Sequence, residues 1–146
     1  MLLATLLAAS VPATGCGGGG AEVRALSPDS LAVWLAEARP VVILDTRARN
    51  RFEAMHLPGA VAAEGRTVSQ LKDVLPLDPA IPVVVYGLGD PLEPNAYDVA
   101  GHAAGTYGFP LVYRLEGGIR VWSERGYEAD GNDVLGEERR MRAGGG

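Results

Sequence analysis

Two unbroken runs of aliphatic, largely β-branched residues, Val41–Leu44 and Ile81–Tyr86, constrain this chain most. Neither run alternates with polar residues, so each predicts a strand covered on both faces, as in a parallel sheet. Glu22–Leu26 alternates polar and apolar residues and predicts a short first strand. Ser27-Pro28-Asp29 then opens a helix, with a serine cap, a proline in the first helical position and an acid in the first turn. Leu31, Trp34, Leu35 and Ala38 follow at helical spacing and face the core, and Pro40 ends the helix. A short helix over Asn50–Ala54 and a turn at His56–Ala60 lead to a brief strand, Val61–Ala63. Thr67–Leu75 predicts a modest helix closed by Pro76, and Pro82 lies near the start of the second buried strand, where a missing N–H is tolerable. Gly87–Pro94 is a loop, and Asn95 caps a helix over Ala96–Tyr107 weakened by Gly101 and Gly105. Leu111–Leu115 is a strand, Gly117-Gly118 a turn and Ile119–Arg125 a last helix. Strands alternating with helices predict a three-layer α/β/α domain around a central, mainly parallel, five-stranded sheet.

The 146 residues suit a single domain. A net charge of −5 argues against a nucleic-acid partner, which a basic patch would mark. The one cysteine, Cys16, cannot form an internal disulfide, and no Cys/His cluster has metal-ligand spacing, so neither a metal nor a cofactor is expected.

Met1–Val11 is apolar and uncharged. Spanning a bilayer takes about 20 apolar residues, so the run is too short for a transmembrane helix and suits the core of a signal peptide. Ala13-Thr14-Gly15-Cys16 resembles the bacterial lipoprotein cleavage box. The resemblance implies a signal peptide over 1–15, a lipidated Cys16, and a flexible glycine tether through Gly20. It places the protein at a bacterial envelope membrane, at the outer membrane or periplasmic face in a diderm. An ordinary cleaved signal would instead leave it secreted or periplasmic. The domain proper is expected over 21–130, followed by a charged, mobile tail over 131–146.

Leu44-Asp45-Thr46-Arg47, then Phe52–Ala60 with its His56-Leu57-Pro58-Gly59-Ala60 turn, is similar to the first motif of rhodanese-like sulfurtransferase domains. Gly108-Phe109, Val112–Ile119 and Val121-Trp122 resemble the family's C-terminal motif. The resemblance covers about Ala21–Tyr127 and implies the rhodanese-like version of the predicted fold. It assigns structural roles to the matched residues: Asp45 and Arg47 after the buried strand, His56, Pro58 and Gly59 in the turn, Gly117 and Gly118 before the last helix, and Trp122 in the core. Trp34 is also expected in the core. Two departures stand out. Arg51 occupies a position where the family usually carries Glu, so two like charges, Arg47 and Arg51, face each other at helical spacing, with Glu53 as partial compensation. Met55 stands where Gly is usual, which alters the local turn.

The resemblance also implies a cysteine nucleophile after the central strand, where a thiolate takes sulfane sulfur as a persulfide. Loop N–H groups and a helix N-terminus would lower its pKa and hold the anion. This chain has Gly87 at that position, followed by Leu88-Gly89-Asp90-Pro91-Leu92-Glu93-Pro94-Asn95. The loop is longer than the family's usual one and has no arginine. Its prolines remove N–H donors, and Asp90 and Glu93 would repel an anionic donor. Tyr86, Tyr97 and His102 have no evident triad partner. The expectation is a catalytically inactive domain that binds a protein partner of unknown identity through Gly87, Leu88, Gly89, Asp90, Glu93 and Asn95. The alternative is a sulfurtransferase-related or other enzyme that uses the same loop.

Overall fold

A computed structural model describes residues 22–64, 66–89 and 94–144. Five strands form one sheet: β1 (Val23–Leu26), β2 (Val42–Asp45), β3 (Val61–Ala62), β4 (Val83–Tyr86) and β5 (Val112–Leu115). Their order is β1-β5-β4-β2-β3, and every pairing is parallel. The sheet is therefore wholly rather than mainly parallel.

The helices are α1 (Pro28–Ala36), α2 (Arg49–Ala54), α3 (Val68–Leu71), α4 (Pro94–Gly101), α5 (Gly118–Glu124) and α6 (Val134–Arg142). β4 shows why an unbroken apolar run was needed. Val83 and Val85 enter a core formed with Leu71, Ala100 and Ala104 from α3 and the α4 region. Val84 and Tyr86 enter a second core with Leu31, Met55, Ile119, Trp122 and Met141. Both faces are thus buried, and each fully buried aliphatic side chain contributes about 1.5–3 kcal/mol. Among the described residues no helix is long and apolar enough to cross a membrane.

Local chemistry sets the helix boundaries. Ser27 caps α1 by accepting the Ser30 N–H at 3.1 Å. Leu31 is fully buried, while Trp34 is only partly buried and stands edge-on to Tyr113 at 5.4 Å. Ala38, expected on the buried face, lies past the end of α1 with φ 51° and is exposed. The helix expected over 67–75 is regular only through Leu71. It then tightens into turns, with Asp73 N–H donating to Gln70 O and Val74 N–H to Leu71 O. Asn95 is not a cap, because α4 already begins at Pro94, whose fixed φ suits a first helical position. Beyond Gly101 the helix widens into a π turn over His102–Thr106, closed by Tyr107 N–H donating to His102 O at 3.1 Å.

The region expected to be a mobile tail contains α6, with Met141 and Glu137 buried. What anchors it is backbone pairing to the end of α2. Asn132 N–H donates to Glu53 O and Asp133 N–H to Ala54 O, both at 3.0 Å. These bonds satisfy carbonyls that a helix C-terminus otherwise leaves open. His56 and Asp130 exchange a pair of backbone bonds just before this point.

Candidate functional site

In an open parallel sheet, ligands bind beyond the carboxyl ends of the strands, where successive connections leave in opposite directions. Here that point lies between β2, which leads to β3, and β4, which leads to β5. Thr46 closes its base, with both its N–H and its hydroxyl donating to Tyr86 O at 3.0 Å. A cavity of about 470 Å³ opens above it, walled by Arg47, Asn50, Arg51 and Glu137 on one side and by Leu88, Pro94 and Asn95 on the other. A second cavity of about 330 Å³ adjoins it, sharing Thr46, Glu64 and Asn95 and reaching His102. The ring of His102 contacts Thr106 Oγ1 at 3.3 Å.

Below the cavity, Asp45 is fully buried and accepts from three donors of Arg47: its N–H at 2.9 Å, Nε at 3.1 and 3.2 Å, and Nη2 at 2.7 Å. Nη2 of Arg47 also donates to Met55 O. Burial pulls the Arg47 pKa down, but the hydrogen bonds and charge of Asp45 more than offset it, so the guanidinium is held more firmly charged than usual. Burial, followed by the charge of Asp45, pushes the Tyr86 phenol well above its ordinary pKa. Its oxygen accepts the Leu57 N–H at 3.1 Å. Asp45, Arg47 and Tyr86 therefore form a structural pin between β2, β4 and the 56–60 turn.

The like-charge problem at Arg47 and Arg51 has a solution other than Glu53. Glu53 pairs with Arg49 instead, at 2.9 Å. The compensating carboxylate is Glu137 of α6, which is 1% exposed. Its oxygens accept from Arg51 Nη1 at 3.1 and 2.9 Å and from Arg140 Nε at 2.8 Å. Arg47 Nη1 lies 3.7 Å away. Burial raises the Glu137 pKa, but the bonds from Arg140 and Arg51 outweigh it and hold the pKa below the ordinary carboxylate value. Glu137 was not legible as a site residue. The only trace was the unmatched arginine at position 51.

The other matched residues act as scaffold. His56 Nδ1 donates to Phe52 O at 2.8 Å, and its ring stacks on Phe52 at 4.1 Å. Trp122 is buried and donates from Nε1 to Glu128 O at 2.8 Å. Met55 ends α2 in an extended conformation.

The segment after β4 divides between two environments. Gly87 is buried and borders a space of only about 10 Å³, shared with Tyr97, Arg114 and Gly118. That is room for one water at most. Leu88 instead faces the large cavity. The carbonyl oxygens of Gly87 and Leu88 accept from the second and third amides of α5, Ile119 N–H at 3.0 Å and Arg120 N–H at 3.1 Å. A β-carbon at Gly118 would lie 2.4 Å from Gly87 O, and one at Gly89 would lie 2.0 Å from Gly117 O. The two backbones touch, which only glycines allow. Asn95 borders both cavities. Asp90, Glu93 and Cys16 lie outside the described residues. Among the described residues no group of His, Cys, Asp or Glu is placed to hold a metal ion.

Residues 27–125 match the family described as Rhodanese-like domain. The chain belongs to the rhodanese-like family. Among solved structures, it resembles a protein of Bacillus halodurans at 22% identity and TM-score 0.64, covering 76% of this chain and 78% of that one. The rhodanese-like domain of a protein from Anabaena sp. is 27% identical, with TM-score 0.59 and coverage of 77% and 82%. A thiosulfate sulfurtransferase of Pseudomonas aeruginosa is 22% identical, with TM-score 0.59, and covers 75% of this chain, which spans only 20% of that enzyme. No curated protein matches the chain.

Proposed function

We propose that this rhodanese-like domain is catalytically inactive and serves as a binding module. The environment of residue 87 carries the reading. The family resemblance puts the sulfur-carrying cysteine there, and this chain has a buried glycine bordering a space of about 10 Å³. The thiolate is the group that attacks and carries sulfur, and no other side chain at the end of β4 can replace it. Asp90 and Glu93 add negative charge to the loop. The adjoining cavity of about 470 Å³ has the size of a ligand site. The partner is a protein met through Gly87–Asn95 and this cavity.

The same reading places the domain on a bacterial envelope membrane through a lipidated Cys16. One acyl chain binds only marginally, at about 0.8 kcal/mol per CH₂, so a multiply acylated cysteine is the form that anchors firmly.

The deciding assay is thiosulfate:cyanide sulfurtransferase activity of the purified protein. Thiocyanate should form no faster than in a heat-killed control. Formation above that control, surviving Cys16→Ala, would show that another group carries sulfur and would overturn the reading.

A further inference from the structure

Three guanidinium groups converge on one carboxylate at the edge of the large cavity. Arg51 and Arg140 hydrogen-bond Glu137, while Arg47 Nη1 stops at 3.7 Å, beyond bonding distance. That Arg47 nitrogen is buried and has no hydrogen-bond partner among the described residues. Arg51, 30% exposed in the cavity wall, bonds Glu137 through Nη1 only, leaving Nε and Nη2 without partners among the described residues. The site thus offers more donors than Glu137 uses.

The charges are arranged for exchange. Arg47 is balanced by Asp45, and Arg140 also contacts Asp133 at 3.1 Å. Among the described residues Arg51 has Glu137 alone. With Glu137 withdrawn, Arg51 becomes an unmatched cation beside an unfilled Arg47 N–H, at a wall that opens on the cavity. Little apolar burial holds Glu137 in place. α6 buries Met141 and packs Val134 part-buried against the same core, while Leu135 is 72% exposed and five of the helix's nine residues are charged.

We infer that Arg51, Arg47 and Arg140 form a carboxylate-binding site whose resident occupant is Glu137, and that an acidic peptide segment of the partner displaces Glu137 and lifts α6. The occupant defines the ligand class, since the site already fits a carboxylate on a flexible two-carbon arm. A competing ligand must open α6 first, so its apparent affinity is reduced by the fraction of molecules that are open. The inference rests on reading the domain as a binding module.

The test is titration of the purified full chain with a hexaglutamate peptide at fixed ionic strength, followed by calorimetry and by hydrogen exchange. Inorganic phosphate is the comparison probe. Glu137→Gln should bind the peptide roughly tenfold tighter or more, because the resident charge is gone. Adding Arg51→Gln should abolish that gain. In the unmodified protein, which needs no variant to fold, saturating peptide should speed amide exchange across Val134–Arg142. Equal affinities for the unmodified and Glu137→Gln proteins would overturn the inference. So would a gain that survives Arg51→Gln, unchanged exchange in α6 at saturation, or phosphate outcompeting the peptide. Each of these outcomes leaves the sulfurtransferase assay unaffected, so the two readings fail separately.

Discussion

Glu137 places its carboxylate 2.9 Å from Nη1 of Arg51, a residue 86 positions earlier in the chain. This contact joins the last helix to α2 and supplies the negative charge that position 51 itself lacks. It predicts non-additive mutations. Arg51→Glu, although it restores the family's usual residue, should destabilise the domain by about 1–3 kcal/mol, because the new carboxylate meets Glu137. Combining it with Glu137→Gln should recover most of the loss, with Glu at 51 free to face Arg47. Urea unfolding of the two single variants and the double variant measures the coupling, and simple additivity would refute it.

Acid should loosen α6 before it unfolds the sheet. Arg140 and Arg51 hold the folded Glu137 pKa below the ordinary value despite burial. Its contribution is therefore present above the unfolded carboxylate pKa of about 4.3 and is lost as pH falls through the lower folded value. Hydrogen exchange or proteolysis near Gly131, followed from pH 7 to pH 3, should show that release. Glu137→Gln should make α6 equally loose at every pH.

At the alkaline end Tyr86 should matter. Its burial, then the charge of Asp45, keeps the phenol protonated in the fold well above its ordinary pKa. The unfolded chain loses that proton at about pH 10, so stability falls as pH rises past this point. Tyr86→Phe should remove this alkaline sensitivity. It should also cost about 1 kcal/mol at neutral pH, because the Leu57 N–H loses its acceptor. A Tyr86→Phe protein with the same alkaline decline would assign the effect elsewhere.

Installing the missing nucleophile should not restore chemistry. Gly87→Cys should leave thiocyanate formation at background, because residue 87 borders a space of only about 10 Å³ and the loop carries Asp90 and Glu93 with no arginine. Sulfurtransferase turnover in this variant would show that glycine at 87 is the sole lesion.

The anchor is tested by fractionation. Cys16→Ala should move the protein from the membrane to the soluble fraction. A substituted protein that stays membrane-bound and unprocessed would refute lipidation at Cys16.

The sheet was legible in the sequence because Val42–Leu44 and Val83–Tyr86 are apolar at successive positions, and burial on both faces is the one environment that demands this. The local motifs singled out His56 and Trp122, whose side chains donate to the backbone carbonyls of Phe52 and Glu128. α6 was not, since Val134–Arg142 is mostly charged and its docking depends on a long-range ion pair and on backbone bonds to Glu53 and Ala54. Hydrophobic periodicity carries no trace of such contacts. The start of α4 was missed by two residues, as Pro94, expected in the flanking loop, is its first residue. Arg51 came closest to revealing the hidden helix, because its charge beside Arg47 called for a partner, expected in Glu53 and found in Glu137.

The α6 clasp also sets an order of events during synthesis. Arg51 leaves the ribosome well before Glu137 exists, 86 positions later, whereas Arg47 closely follows its partner Asp45. Only when the last helix emerges is the charge of Arg51 met. The nascent chain therefore passes through an interval in which Arg51 lacks the carboxylate that meets it in the finished fold.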